Sequence, residues 1–250
     1  MLGFPRVTCR TKLISVEYLH YCLKVSEKSC IIALLRFSML YNGVIILNIF
    51  LSVAKSVLTA LYQYFFVSLI FAFIIMICYL FVIKNNSSGI GIRQTLKLWG
   101  SSFKSSFDFR LLFFLVFYCA MIGFRTLLGR GLITNPLHNV FGDWSLYNTS
   151  GNSVVSSYGL ENIILFVPFS FLFLWYLNTR RSRKGIFRSF FVSVIAAMLF
   201  SVLIEFSQLL FCLGTFQFSD LVYNTSGGII GSLIYLACWK IKCLIMKNKK

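Results

Sequence analysis

The chain has 250 residues, of which 58% are hydrophobic and 12% are charged, and its mean hydropathy is +0.81. Soluble domains have about 45–50% apolar and about 25% charged residues, so this composition excludes an ordinary soluble protein and indicates a membrane protein. The net charge of +17 does not indicate a nucleic-acid partner, because the basic residues lie in short blocks between apolar runs.

The eight cysteines form no C-x-x-C pair, and only His20 and His138 could add imidazole ligands. We therefore expect neither a metal site nor a disulfide framework, and we predict no cofactor. Most of the cysteines fall in apolar runs or in basic segments, where a cysteine usually serves as a small hydrophobic side chain.

The N-terminal part of the chain is predicted to contain a tail, two membrane spans and a surface helix. Residues 1–29 form a basic cytoplasmic tail, and residues 31–54 and 57–83 are long enough to cross a bilayer, which takes about 20 residues. Lys55 and Ser56 leave room only for a tight hairpin between these spans. Residues 30–110 thus combine a helical hairpin with the segment 84–110.

Segment 84–110 carries five basic residues and an apolar series at helical spacing. The apolar series is Ile92, Leu96, Trp99, Phe103 and Phe107. This pattern favours an amphipathic helix that lies on the membrane surface, and a plain loop is the alternative.

Four further spans are predicted at residues 111–128, 159–177, 189–213 and 221–239. Pro168 should kink the second of these. Residues 111–239 then form the membrane domain, and residues 240–250 form a basic C-terminal tail. The predicted fold class is an all-α polytopic membrane protein with about six transmembrane helices.

The positive charges predict the orientation of the chain. Residues 1–29, 84–110, 178–188 and 240–250 each contain five Lys or Arg, which makes twenty of the twenty-four in the chain. With six spans these blocks all fall on one side, and the positive-inside rule makes that side, with both termini, cytoplasmic. Trp175, Tyr176 and Trp239 then lie at the inner interface, where aromatic belts occur.

Polar and small side chains form two one-sided stripes near the C-terminus. Ser201, Glu205, Gln208 and Cys212 share one helix face, and Asp220, Asn224, Gly227, Gly228 and Gly231 form the second stripe. We expect the two helices to present these stripes to each other. Glu205 lies nine residues before Gly214, which at ~1.5 Å per residue places it about 13 Å below the outer end of its span.

The predicted topology collects eight polar residues in the outer half of the membrane. They are Arg125, Arg130, Glu161, Asn162, Glu205, Gln208, Asp220 and Asn224. Either they are paired interhelical contacts, with Gly227, Gly228 and Gly231 allowing close helix approach, or they line a cavity that receives a polar headgroup or peptide. Glu205 is neutral if it stands alone in lipid and ionised if Arg125 lies beside it.

Three motifs on successive spans resemble the VanZ-like family of bacterial membrane proteins, named for a teicoplanin-resistance protein. The motifs are residues 161–169 (ENIILFVPF), 203–208 (LIEFSQ) and 219–228 (SDLVYNTSGG), with Arg130, Asn135 and Pro136 upstream. The resemblance covers roughly residues 111–239. The chain departs from the family pattern before Asp220, where Gly214, Thr215 and Gln217 stand in place of an Arg and an acidic residue.

This resemblance implies a multi-pass protein of the bacterial cell membrane that lowers susceptibility to glycopeptide antibiotics, and it supplies no catalytic residues. Beside the lipid bilayer, the expected partner is a lipid-linked cell-wall precursor or a lipoglycopeptide. A small transporter or flippase that uses Glu205 as a proton or substrate site is the alternative. An intramembrane hydrolase is disfavoured because no nucleophile–base pair is recognisable. The sequence leaves the oligomeric state open.

Overall fold

A computed structural model of the protein describes residues 27–84, 91–128, 131–142, 144, 148–150, 154–156, 158–180 and 185–247. The chain divides into two compact units, Met1–Ser52 and Val53–Lys250. In the first unit the described residues are helical from Glu27 onward. The predicted tail at residues 1–29 lies almost entirely outside the described residues.

The described residues form seven helices and one short ribbon. The helices are α1 (Glu27–Gln63), α2 (Phe65–Lys84), α3 (Ile92–Ser105), α4 (Phe107–Leu127), α5 (Tyr158–Arg180), α6 (Ile186–Leu210) and α7 (Phe218–Lys247). The strands β1 (Asn148–Ser150) and β2 (Val154–Ser156) pair antiparallel, with Thr149 opposite Val155. The predicted helical class is therefore confirmed.

Five of these helices, α2 and α4 to α7, are long and apolar enough to cross a membrane. A span of this kind needs about 20 mainly apolar residues, because the backbone must satisfy its own hydrogen bonds in lipid. The count of six spans and the cytoplasmic placement of the termini stay predictions.

The position predicted for the turn, Lys55 and Ser56, is wrong, because α1 continues through both residues. The helical path breaks at Tyr64, whose hydroxyl donates a hydrogen bond of 3.1 Å to the carbonyl oxygen of Leu128. Lysine has a high helix propensity, and serine destabilises a helix only slightly, so neither residue interrupts a helix as Gly or Pro would. A single charge between two apolar runs is thus a weak turn signal.

The segment after α2 contains the predicted amphipathic helix, α3, so the loop alternative is wrong. Trp99 stacks on Phe103, with ring centroids 5.1 Å apart, and contacts aromatic rings of α2 and α4. Ile92 instead remains 77% exposed. Phe107 belongs to α4, because Ser106 caps that helix by accepting a hydrogen bond from the Phe109 backbone N–H. The location of α3 on a membrane surface stays a prediction.

The five long helices α2, α4, α5, α6 and α7 alternate in direction from one to the next along the chain. The end of α2 and the start of α4 share a core cluster that contains Leu80 and Phe109. The start of α4 meets the end of α5, where the Phe107 and Trp175 ring centroids are 5.5 Å apart. Helix α6 runs back beside α5, and α7 follows α5 in parallel. Residues 91–110, 178–180, 185–188 and 240–247 therefore lie at one end, which we call the basic end.

Helices α5, α6 and α7 pack through small and polar side chains. Ser193 of α6 donates to the Ser170 carbonyl oxygen at 3.2 Å, and Ser232 of α7 donates to Ser193 at 3.0 Å. A Cβ atom on Gly227 or Gly231 would overlap a backbone carbonyl oxygen of α5. The backbones of α5 and α7 are thus in direct contact, as small residues permit between membrane helices.

Candidate functional site

A cavity of about 650 Å³ lies at the end of the bundle opposite the basic end. There α4 and α6 end and α5 and α7 begin, so four chain segments converge. Four of the predicted site residues line it: Arg125, Glu161, Asn162 and Asp220. The structure therefore brings residues from α4, α5 and α7 to one polar wall.

Glu161 is the centre of the charged part of this wall. Its Oε2 lies 2.7 Å from Nη2 of Arg125, and its Oε1 accepts a hydrogen bond of 2.9 Å from the Ser56 hydroxyl. The Arg125 and Glu161 side chains are only 16% and 13% exposed, so water screens their attraction little. Nη1 of Arg125 is buried and has no hydrogen-bond partner among the described residues.

Glu205 lies behind the cavity wall and not in it, and it is only 2% exposed. Its Oε2 accepts a hydrogen bond of 2.9 Å from the backbone N–H of Gln217, a residue of the cavity wall. Helix α6 ends at Leu210, so Glu205 lies about 7.5 Å below the helix end and not the predicted 13 Å. Residues 211–217 fold back over it. The observed ion pair of Arg125 is with Glu161 and not with Glu205.

Gln208 and Asn224 tie helices together beneath the cavity. Nε2 of Gln208 donates to the Thr126 carbonyl oxygen at 3.1 Å, and Nδ2 of Asn224 donates to the Ser201 hydroxyl at 2.8 Å. Oδ1 of Asn224 is buried without a hydrogen-bond partner in the described part of the chain. Among the described residues, these two amides take part in contacts between helices and not in the cavity wall.

Two loop segments, one between α4 and β1 and the other between α6 and α7, form the rim of the cavity. Three backbone hydrogen bonds join them: Ile133 N to Cys212 O, Phe216 N to Pro136 O, and Phe218 N to Val140 O, at 2.8, 3.0 and 2.8 Å. Gly142 lies toward the end of the first of these segments and has a φ angle of +73°. A Cβ atom at this position would overlap Ser219. Only glycine adopts this conformation without strain, so the rim depends on Gly142.

Cys212, predicted as the fourth member of the α6 stripe, lies beyond the helix and has φ of +52°. The Leu213 N–H donates to the Gln208 carbonyl oxygen at 2.9 Å, and the Cys212 N–H donates to that of Leu209 at 3.3 Å. This pair of bonds defines a Schellman motif, in which the residue with positive φ is usually glycine. The stripe therefore stops at Gln208.

We expect the C212G substitution to stabilise the protein by about 0.5 kcal/mol. Glycine removes a left-handed strain of about 1–2 kcal/mol and adds about 0.5–1 kcal/mol of entropy to the unfolded chain. Thermal unfolding in detergent measures the effect. C212A is the matched control, since it removes the thiol and keeps the strain, and an equal gain in C212A would contradict the explanation.

Several residues of the site were not predicted from the sequence. Tyr223 packs its ring on Gly159, where a Cβ atom would lie 3.0 Å from the ring, and both line the cavity. Tyr223 follows Asp220 by three residues on the same helix face, a signal that could have identified it. Ser56, which donates a hydrogen bond to Glu161 but does not line the cavity, had no such signal, because its role depends on the path of α1. Arg130 lies outside the described residues.

A protein-family model described as VanZ/LLP1 matches residues 65–240. The match begins well before residue 111, where the resemblance of the motifs starts, so the family region also includes α2 and α3. No curated protein and no solved structure matches the chain. Since the family model covers most of the chain and five of its helices can cross a membrane, the protein is a multi-pass membrane protein of the VanZ-like family.

Proposed function

We propose that the cavity binds the polar part of an amphiphilic envelope ligand, either a lipid-linked cell-wall precursor or a lipoglycopeptide antibiotic. In this proposal the protein lies in the bacterial cell membrane with the cavity facing outward, and binding lowers susceptibility to teicoplanin-type antibiotics. The observation that carries it is the convergence of Arg125, Glu161, Asn162 and Asp220 on one open cavity.

The size and chemistry of the cavity support a ligand of this class. Its volume of about 650 Å³ falls within the roughly 300–1,000 Å³ of small-molecule sites. The wall combines two carboxylates, a guanidinium group and two side-chain amides with the rings of Tyr158 and Tyr223, a mixture suited to sugars and peptides. Ionisable residues inside a membrane protein are costly, which favours a functional role for them.

The D220N substitution tests the proposal, because it keeps the side-chain shape and removes the charge. A charge-assisted hydrogen bond is worth about 1.5–3 kcal/mol, so binding should weaken by roughly tenfold or more. We expect the teicoplanin inhibitory concentration to fall toward that of the deletion strain, with unchanged protein abundance in membranes.

The matched control is D108N, which makes the same chemical change at the start of α4, at the basic end. It should leave teicoplanin tolerance at the wild-type value. The proposal would be wrong if deletion of the gene did not change tolerance under native expression, or if D220N and D108N behaved alike.

A transporter or flippase-like function that uses Glu205 is the second candidate. The nearly complete burial of this carboxyl group favours it, because a buried acid in a membrane bundle is a common proton or substrate site. Flux of a fluorescent lipid or a pH change in liposomes measures this activity. Transport in the wild type and its loss in E205Q would support the candidate, and no transport by the wild type would exclude it.

A further inference from the structure

A second groove lies between α5 and α7 near the basic end, far from the residues of the first cavity. The groove forms because side-chain size changes along two facing rows, one on each helix. Successive residues of a row are four positions apart in the sequence. The row on α7 is Gly227, Gly231, Tyr235 and Trp239, and the row on α5 is Ile163, Val167, Phe171 and Trp175. The rows pair in parallel, so the two glycines of α7 meet the backbone at Ile163 and Val167 at one end, and aromatic residues of both helices meet at the other.

The consequence is a gap between the helices. At Gly231 the backbones touch, since a Cβ atom there would overlap the Val167 carbonyl oxygen. One turn further the Phe171 and Tyr235 ring centroids are 5.5 Å apart, which requires a larger separation of the two helices. Beyond these rings a cavity of about 420 Å³ opens.

The wall of this groove is suited to an amphiphile with a negative headgroup. Trp175, Trp239 and Met246 supply apolar surface, and Lys242 supplies an ammonium group. No acidic side chain is among the described residues that line it. Asn178 donates a hydrogen bond of 2.8 Å to the Tyr235 hydroxyl, which fixes the floor.

The surroundings add to this charge complementarity. Arg180, Lys240 and Lys247 are exposed at the same end of the two helices. Tryptophan prefers the interface between hydrocarbon and headgroups, so Trp175 and Trp239 place the groove at headgroup depth. Basic pockets between membrane helices at this depth bind anionic lipid headgroups.

We propose that this groove is a binding site for an anionic phospholipid. Lys242 pairs with the phosphate of a headgroup whose net charge is negative, and one acyl chain lies against the two tryptophans and Met246. Phosphatidylcholine has the same phosphate, but its choline cation cancels the charge and repels the ammonium group of Lys242. This groove shares no lining residue with the first cavity, so the proposal holds whether or not that cavity binds an envelope ligand.

Tryptophan quenching tests the proposal on the full chain. The protein has four tryptophans, so W99F/W144F leaves only Trp175 and Trp239 as reporters. Reconstituted in phosphatidylcholine, this protein is titrated with phosphatidylglycerol carrying brominated acyl chains, and separately with brominated phosphatidylcholine. We expect phosphatidylglycerol to quench at a mole fraction about fivefold lower, as expected for one cation near a charged headgroup.

K242Q should remove this preference and bring the two quenching curves together. K240Q is the matched control, because Lys240 is exposed, lies two residues away and does not line the groove. Equal quenching by both lipids in the parent, or an equal shift in K240Q and K242Q, would overturn the proposal.

Native mass spectrometry provides a measurement that does not depend on the tryptophan substitutions. The wild-type protein, purified with phosphatidylglycerol and phosphatidylcholine in equal amounts, should retain phosphatidylglycerol preferentially. K242Q should lose this retention and K240Q should keep it. Retention of both lipids in equal amounts by the wild type would contradict the site.

Discussion

The G227A substitution is expected to destabilise the protein by about 3 kcal/mol, at the upper end of the cost of overpacking a core. The new methyl group would overlap the Ile163 carbonyl oxygen and lie 3.0 Å from Cβ of Phe166. The carbonyl belongs to the backbone of α5 and cannot rotate away as a side chain could. We expect a lower midpoint of thermal unfolding in detergent and less protein in membranes.

G123A is the matched control for this prediction. It makes the same change within α4, at a position where a Cβ atom would meet no atom within 4 Å. Alanine is a better helix former than glycine, so the unfolding midpoint should stay the same or rise. Similar midpoints in G227A and the wild type would show that backbone contact between α5 and α7 does not limit stability.

The second large effect is expected for E161Q, which leaves the Arg125 guanidinium without its carboxylate in the cavity wall. Breaking a buried ion pair costs about 3–5 kcal/mol, because the remaining charge keeps its desolvation penalty. Both side chains retain some exposure, so we expect about 3 kcal/mol. Unfolding in mixed detergent micelles with increasing denaturing detergent measures the difference.

A double-mutant cycle separates the pair from its surroundings. R125Q/E161Q replaces both charges with neutral groups, so it should be more stable than the sum of the single effects predicts. S56A removes only the hydroxyl that donates to Oε1 of Glu161, at an expected cost of about 1 kcal/mol. Additive effects of R125Q and E161Q would show that the pair does not act as a unit.

The ion pair between Arg125 and Glu161 also affects how the first cavity could bind a ligand. Glu161 already binds Arg125 and Ser56, so its carboxylate holds the wall together as well as facing the cavity. A ligand that competes for Arg125 would have to replace part of this interaction. E161Q therefore tests the stability of the wall and does not by itself test ligand binding.

Much of the helical architecture was predictable from apolar run length. Helices α2 and α4 to α7 each overlap a predicted span, because the hydrocarbon thickness sets a minimum length for an apolar segment. The ends were less predictable: α6 ends at Leu210 although the apolar sequence continues to Leu213. The Schellman turn that ends it has cysteine at a position where glycine is the usual signal.

The inward faces of the C-terminal helices were also predictable from periodicity. Ser201, Glu205, Gln208 and Asn224 are all buried, as expected for polar residues that share one face of a membrane helix. Periodicity identifies which face of a helix is buried, but it does not identify the residues on other segments that this face contacts. That Glu205 accepts from the Gln217 backbone N–H could not be inferred, since it depends on how residues 211–217 fold back.

Composition, apolar run length and helical periodicity by themselves determined that this is a helical membrane protein and which residues face inward, because these are local properties of each segment in lipid. Only the tertiary structure decided that Arg125 pairs with Glu161, that α1 passes through Lys55 and Ser56, and that two cavities open at opposite ends of the bundle. Pairings and cavities depend on the separation and rotation of helices distant in sequence, which no single segment encodes.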